Sequence, residues 1–163
     1  MIDHFLRYVV PAGYALLPPA MKSPAATSLV LAIGLQESQF QRRRQMGSGT
    51  ALSFLQFERA GVRGVLVHPR TMPLIEQALR AQCYTGIVRE ASACHRILEH
   101  HDTLAFVFAR CLLWTLPQPL PTREQEALGW SQYLECWRPG KPHPETWAAH
   151  WAEAWRRVAP LDA

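Results

Sequence analysis

The stretch SPAATSLVLAIGLQES, residues 23–38, decides the fold. Ser23 is a good helix N-cap and Pro24 fits the first helical position, so a helix is predicted to begin here. Its middle part, LVLAIGL at residues 29–35, is apolar on every side of such a helix. Because a helix that is apolar all round lies inside a protein, this one is predicted to form the buried centre of the fold and to end near Phe40.

The rest of the chain reads as further helices separated by prolines and glycines. LAFVFARCLLW, residues 104–114, predicts a second buried helix, with Thr103 as its cap. Amphipathic helices are expected to wrap these two, which predicts an all-α single domain over residues 1–163. They are expected at 2–10, 59–67, 72–82, 87–99, 122–137 (opened by Thr122 and Gln125 at capping-box spacing) and 145–158, with an irregular loop and a small hairpin at 46–57.

Composition limits the function classes. The chain has 48% hydrophobic and 18% charged residues, which is typical of a globular protein. The net charge of +4 is compatible with binding to nucleic acid, anionic lipid or cell wall, and also with a role in solubility alone. No helix-turn-helix or base-stacking motif is present, so nucleic-acid binding is the least favoured of the candidate functions. No segment resembles a secretory signal or spans a bilayer. We therefore expect synthesis in the cytoplasm and no integral membrane segment.

The cysteines carry no recognisable cofactor motif. Because no two share a CxxC spacing and three lie in apolar helical patterns, all four are predicted to be reduced and largely buried. The loose cluster at residues 94–102 lacks the spacing of a metal motif, so no metal and no cofactor are expected. The four thiols are those of Cys83, Cys94, Cys111 and Cys136.

Glu37 is the candidate catalytic residue. On a helix it shares one face with Val30, Ile33 and Gly34, so its carboxyl group ends a buried apolar stripe. Loss of hydration disfavours the charged form and raises the carboxyl pKa, which suits a general acid. Gly34 is predicted to leave a gap that admits a ligand. The structural alternative is that Glu37 pairs with a basic residue of the run 42–44, which is otherwise expected to be a solvated face or to meet anions.

Tryptophans form two stripes at helical spacing. A stripe of this kind predicts core packing, although a tryptophan at the edge of a cleft could also stack on a sugar. The first stripe is Trp147, Trp151 and Trp155, and the second is Trp130, Leu134 and Trp137.

Two neighbouring segments, QESQF at 36–40 and GSGTALSFLQFE at 47–58, resemble the signature of the lysozyme-like lytic transglycosylases. That signature is a helix ending in Glu-Ser-x-Phe, then a glycine-rich loop ending in a Gly-Leu-Met-Gln-like tetrapeptide. Ser53 stands where the family usually has glycine. The residues that match are Glu37, Ser38, Phe40, Leu55 and Gln56. The chain also looks like a group of small phage and prophage proteins of this type.

The resemblance implies a lysozyme-like fold and cleavage of peptidoglycan between N-acetylmuramic acid and N-acetylglucosamine, with Glu37 as the acid. Phage structural or delivery proteins would be its partners. A second carboxylate, as in a hydrolase, could come only from nearby Glu58, which reads more simply as a helix-start residue. The residues that would contact the glycan are Gln56, Ser38, Ser48 and Phe54.

One family element has no counterpart in the chain. The family usually carries an Ala-Tyr-Asn triplet on a later helix, and the nearest stretch, residues 106–114, lacks it. This departure favours the alternative interpretation, a catalytically inactive lysozyme-like structural or binding module of a virion. The sequence also leaves open whether cleavage is hydrolytic or forms anhydro ends.

Overall fold

The structure, a computed structural model, describes residues 1–47 and 49–159, and these residues form an all-α fold as predicted. No strand or sheet forms among them; two isolated antiparallel bridges, Arg44–Leu52 and Leu52–Phe57, make the small hairpin of the predicted loop. The helices are α1 (Ile2–His4), α2 (Val10–Ala15), α3 (Pro24–Ser38), α4 (Arg59–Val67), α5 (Met72–Ala81), α6 (Ala91–Leu98), α7 (Asp102–Trp114), α8 (Glu126–Trp137) and α9 (Pro144–Val158).

Helix α3 lies at the centre, as its apolar sequence predicts. The Ser23 hydroxyl oxygen accepts a hydrogen bond from the Ala26 amide at 3.1 Å, which caps the helix. Residues 26–35 are all buried, and the helix packs mainly against α9 and also against α7. It ends at Ser38, two residues before the predicted end, because Gln39 and Phe40 both adopt positive φ angles.

Helix α7 is the second buried helix, and residues 104–113 are all buried. The predicted cap was wrong: the ring of His101, rather than Thr103, accepts the hydrogen bond from the Leu104 amide. At the N-terminus the helical path continues beyond residue 10 to Ala15. A π-helical turn, Phe5–Val9, precedes Pro11. In such a turn the main-chain hydrogen bonds join residues five apart instead of four.

Two other helix starts lie later than predicted. The segment expected at 87–99 is a 3₁₀ turn, Thr85–Ile87, followed by α6 from Ala91. The Gln125 side chain does accept a hydrogen bond from the Thr122 amide at 2.9 Å, as in a capping box, yet α8 begins only at Glu126. The contact between Thr122 and Gln125 therefore forms as predicted, and α8 begins about one turn after Thr122.

Two members of the first tryptophan stripe, Trp147 and Trp151, belong to the core, whereas Trp155 is partly buried. Trp147 is 1% exposed and Trp151 is 4% exposed, and their indole N–H groups donate to main-chain carbonyls. The ring of Tyr133 on α8 stacks on Trp147 with centroids 5.4 Å apart. These two indoles pack between α8 and α9. The tryptophans of the second stripe, Trp130 and Trp137 on α8, are half-buried.

The prediction for the thiols was wrong at one position. All four cysteines are free, but Cys83, which follows α5 with a φ of +65°, is exposed. Burial raises the pKa of Cys94 to about 11 and that of Cys111 and Cys136 to about 12. The thiolate is the reactive form, and Cys83 is the exposed cysteine among the four.

We therefore expect one fast-reacting thiol in the folded protein. Intact-mass measurement after brief alkylation near neutral pH should show a single modification, and denaturant should expose all four thiols. A Cys83→Ser variant is the matched control and should show no fast modification. Two or more fast modifications in wild type would contradict this placement of the thiols.

Candidate active site

The Glu37 carboxyl group lies in the last turn of α3 and meets α8. Its Oε1 accepts a hydrogen bond from the hydroxyl of Tyr133 at 2.7 Å. Tyr133 is buried, whereas Glu37 is partly exposed, so one carboxylate oxygen is held by the protein while the group keeps access to solvent. The structural alternative, a pairing of Glu37 with the basic run 42–44, does not occur among the described residues.

Burial raises the pKa of Glu37 from 4.5 to about 7. Desolvation is the largest cause, and the negative charge of Glu58 adds to it, while the hydrogen bond from Tyr133 opposes both. This direction agrees with the effect expected of a carboxyl at the end of an apolar stripe. A carboxyl with this pKa exists in both protonation states near neutral pH, as a general acid and base requires.

The predicted gap at Gly34 is filled. A Cβ at this position would overlap Cζ of Phe40 and would lie 3.2 Å from Cδ2 of Leu55. The left-handed turn at Gln39 and Phe40 folds the Phe40 ring back onto α3, against the face that carries Gly34. Gly34 therefore admits the protein's own aromatic ring, and the prediction of ligand access there was wrong.

We expect Gly34→Ala to destabilise the fold by about 1–2 kcal/mol, because Phe40 and Leu55 must shift to accommodate the methyl group. Gly64→Ala in α4 is the matched control, since a Cβ there meets nothing within 4 Å. That control should raise stability by about 0.5–1 kcal/mol, the helix-propensity gain alone. Chemical denaturation of both variants checks the pair, and an unchanged stability for Gly34→Ala would contradict the close contact.

Ser38 joins the glutamate helix to the loop that follows. Its hydroxyl donates to the carbonyl of Phe54 at 2.5 Å and accepts from the amide of Phe40 at 3.1 Å. The loop segment 52–57 is closed by the bridge between Leu52 and Phe57. The two parts of the family-like motif are therefore brought together by Ser38.

The other predicted glycan-contacting residues make contacts within the protein. Gln56 is 8% exposed, and its Nε2 donates to the carbonyl of Ser53 at 2.7 Å, so its side chain satisfies a main-chain group of the loop. Phe54 is 6% exposed and packs on Phe40 with ring centroids 5.8 Å apart. Ser48 lies outside the described residues. A sugar-binding role for these side chains stays a prediction.

The arginine run is only partly solvated. Both Nη atoms of Arg43 bind the carboxylate of Asp102, and its guanidinium lies 4.0 Å from the centroid of the Phe54 ring. Arg44 forms a two-point ion pair with Glu99. The expectation of a solvated run was therefore wrong for Arg43, whereas Arg44 stays exposed although it pairs with Glu99. These two ion pairs hold the loop that follows α3 against the junction of α6 and α7.

The described part of the chain places no three His, Cys, Asp or Glu side chains together as a metal site would need. His95, from the loose cluster at 94–102, is buried, and its Nε2 lies 2.6 Å from the carbonyl oxygen of Phe57. This histidine therefore supports the loop. In residues 1–47 and 49–159 no helix is long and apolar enough to cross a membrane.

A groove of about 470 Å³ lies beside this site, between α4, the end of α7 and α8. Glu58 and Trp137 line it; Glu37 does not. Trp137 donates its indole N–H to the carbonyl of Leu55 at 2.8 Å and packs against Phe57 with centroids 5.4 Å apart. Glu58 accepts a hydrogen bond from the Thr50 hydroxyl at 2.7 Å. Glu58 therefore links the groove to Glu37 through its charge.

Tyr133 is the residue that the sequence interpretation missed. The tryptophan spacing on α8 points to Trp130 and Trp137 and does not include Tyr133. A usable signal existed, because Tyr133 precedes Trp137 by four positions and so shares its helical face. What the sequence could not show is which helix that face would meet.

Comparison with protein family models, with curated proteins and with solved structures finds no match to this chain. The all-α fold follows from the structure itself. Two observations bear on function: the chemistry of the site around Glu37, and the resemblance of residues 36–58 to the lytic transglycosylase signature.

Proposed function

We propose that the chain cleaves peptidoglycan at the bond between N-acetylmuramic acid and N-acetylglucosamine, as a lytic transglycosylase with Glu37 as its single acid and base. The observation that carries this proposal is the partly exposed Glu37 carboxyl, whose pKa of about 7 suits both proton donation and proton removal. The match of residues 36–58 to the family signature supports the choice of substrate.

The reaction needs one proton relay. Protonated Glu37 would give its proton to the glycosidic oxygen as the bond from that oxygen to the anomeric carbon breaks. The resulting carboxylate would then take the proton of the muramic acid C6 hydroxyl, whose oxygen bonds to the anomeric carbon. Glu37 ends protonated again, no water is consumed, and the product carries a 1,6-anhydro ring.

Tyr133 would act as a positioning residue. Its hydroxyl donates to Oε1 of Glu37, which fixes the carboxyl plane and leaves Oε2 for the substrate. Because this hydrogen bond favours the ionised form, it also limits how far burial raises the pKa of Glu37. A tyrosine from a later helix thus meets the acid even though the Ala-Tyr-Asn triplet is absent.

Digestion of purified peptidoglycan, followed by mass analysis of the soluble fragments, tests the proposal. We expect fragments that end in 1,6-anhydro-muramic acid. Fragments with ordinary reducing ends would instead indicate a hydrolase, in which Glu58 would be the second carboxylate. Peptidoglycan from several bacteria should be used, so that the chemistry of one wall does not decide the result.

The second candidate is an inactive module of a virion, carried to the wall by phage proteins. The observation that favours it is the engagement of Gln56 and Phe54 within the loop. Binding to insoluble peptidoglycan without release of any fragment would favour this second function over the first.

A further inference from the structure

The groove beside the site combines an apolar wall with carboxylates. Leu112, Leu116 and Trp137 supply apolar surface, and Glu58 and Glu135 also line it. Both glutamates are exposed. The shape and chemistry suit a ligand with an aliphatic arm that ends in a positive charge.

The two groove carboxylates lack partner cations. In the part of the chain that the structure describes, neither Glu58 nor Glu135 forms an ion pair, although the protein carries an overall charge of +4. Arg138 also lines the groove, but its Nε donates to the main-chain carbonyl of Glu135 and not to the carboxylate. Six other carboxylates are paired with basic residues, namely Asp3, Glu76, Glu99, Asp102, Glu145 and Glu153. Outside the groove, Glu37, Glu90, Glu124 and Glu126 form no ion pair among the described residues either.

We propose that this groove binds the side-chain ammonium group of the peptide stems that peptidoglycan carries, with the methylene arm against Leu112, Leu116 and Trp137 and the ammonium near Glu58 and Glu135. The proposal rests on the proposed function, since it names the part of that substrate that enters the groove. An ammonium group near an indole face gains a further cation–π attraction. His68 and Arg138, which also line the groove, would disfavour a doubly charged ligand.

The proximity of the groove to the acid supports this arrangement. Glu58 lines the groove and also acts on Glu37 through its charge, so a glycan strand at Glu37 would bring its peptide stems close to the groove. A bound ammonium would partly neutralise Glu58. The substrate that enters the groove would thus be a peptide-bearing strand with free amines.

Calorimetric titration with two disaccharide peptides tests the inference. The first is N-acetylglucosaminyl-N-acetylmuramic acid carrying a peptide with a free side-chain amine, and the second is the same compound with that amine acetylated. Neither contains the bond that the proposed reaction breaks, so both stay intact. We expect the free-amine compound to bind about fivefold more tightly, the upper end of the effect of a charge contact between exposed groups.

Variants locate the effect. Glu135→Gln should reduce the preference for the free amine to about twofold or less, and Glu58→Gln should reduce it as well. Glu90→Gln, an exposed glutamate at the start of α6, is the matched control and should retain the full preference. Thermal unfolding of each variant checks that the fold is kept.

Three results would overturn the inference: equal affinity of wild type for the two compounds, no binding of the free-amine compound at millimolar concentration, or an undiminished preference in Glu135→Gln. Cleavage by wild type is measured separately on whole peptidoglycan. The proposed function can therefore fail while the amine preference holds, and the reverse, so the two failures are distinguishable.

Discussion

Glu37→Gln should lower the rate of peptidoglycan cleavage by about 10²–10⁴-fold, the usual contribution of a general acid. Glutamine keeps the shape of the side chain and can still accept the hydrogen bond from Tyr133, but it has no proton to give to the leaving oxygen. Release of soluble fragments over time, at equal enzyme concentration, measures the loss.

Two further glutamate variants make this result specific. Glu90→Gln should cleave at the wild-type rate, because Glu90 is exposed and lies outside the site. Glu58→Gln should stay within about tenfold of wild type if a single acid suffices, since a contact to substrate and the smallest of the three contributions to the pKa of Glu37 are lost. A Glu58→Gln variant as inactive as Glu37→Gln, together with products that lack anhydro ends, would indicate a two-carboxylate hydrolase.

The same substitution should change stability in a pH-dependent way. Below pH 4.5 Glu37 is protonated in both the folded and the unfolded chain, so its ionisation costs the fold nothing. As pH rises towards 7 the unfolded chain releases this proton first, and wild type loses stability until the folded pKa of about 7 is passed. Glutamine does not ionise and escapes this loss.

We therefore expect the free energy of unfolding of Glu37→Gln, relative to wild type, to rise by about 2–3 kcal/mol between pH 4 and pH 8.5. This value is an upper range, because solvent screens the charge of a partly exposed carboxyl group. Urea denaturation at both pH values gives the two differences, and the effects of all other titrating groups cancel between the variants. A stability difference that does not change with pH would show that Glu37 has an ordinary pKa in the folded protein.

The buried helices could be predicted from the sequence because their signal is local. Residues 29–35 are apolar on all sides, and residues 104–114 are apolar except for Arg110. Burial satisfies helices of this composition. The position of Glu37 at the end of the first stripe followed from helical spacing alone, and so did the direction of its pKa shift.

The surroundings of Glu37 could not be predicted because they depend on distant parts of the chain. Tyr133, 96 positions away, supplies the hydrogen bond to the carboxyl group. Arg43 is matched with Asp102 across 59 positions, so a run that resembles a solvated face becomes a clamp on the loop. Neither spacing nor composition indicates which charges will pair at such a separation.

The gap at Gly34 shows a different limit. A helical glycine beside a glutamate suggests space for a ligand, but the positive φ angles of Gln39 and Phe40 turn an aromatic ring into that space. Two consecutive non-glycine residues in the left-handed region are uncommon, so no sequence rule predicts them. The same holds for Cys83, whose positive φ angle follows the end of α5.

Titration of the Glu37 carboxyl carbon by NMR tests directly whether Glu37 is a desolvated acid with a raised pKa. Uniformly ¹³C-labelled wild type is followed from pH 4 to pH 9, and the signal absent from Glu37→Gln identifies the residue. We expect a midpoint near pH 7, raised further in Tyr133→Phe because the hydrogen bond that favours the ionised form is lost. A midpoint near 4.5, the ordinary value for glutamate, would contradict the assignment of Glu37 as a desolvated acid.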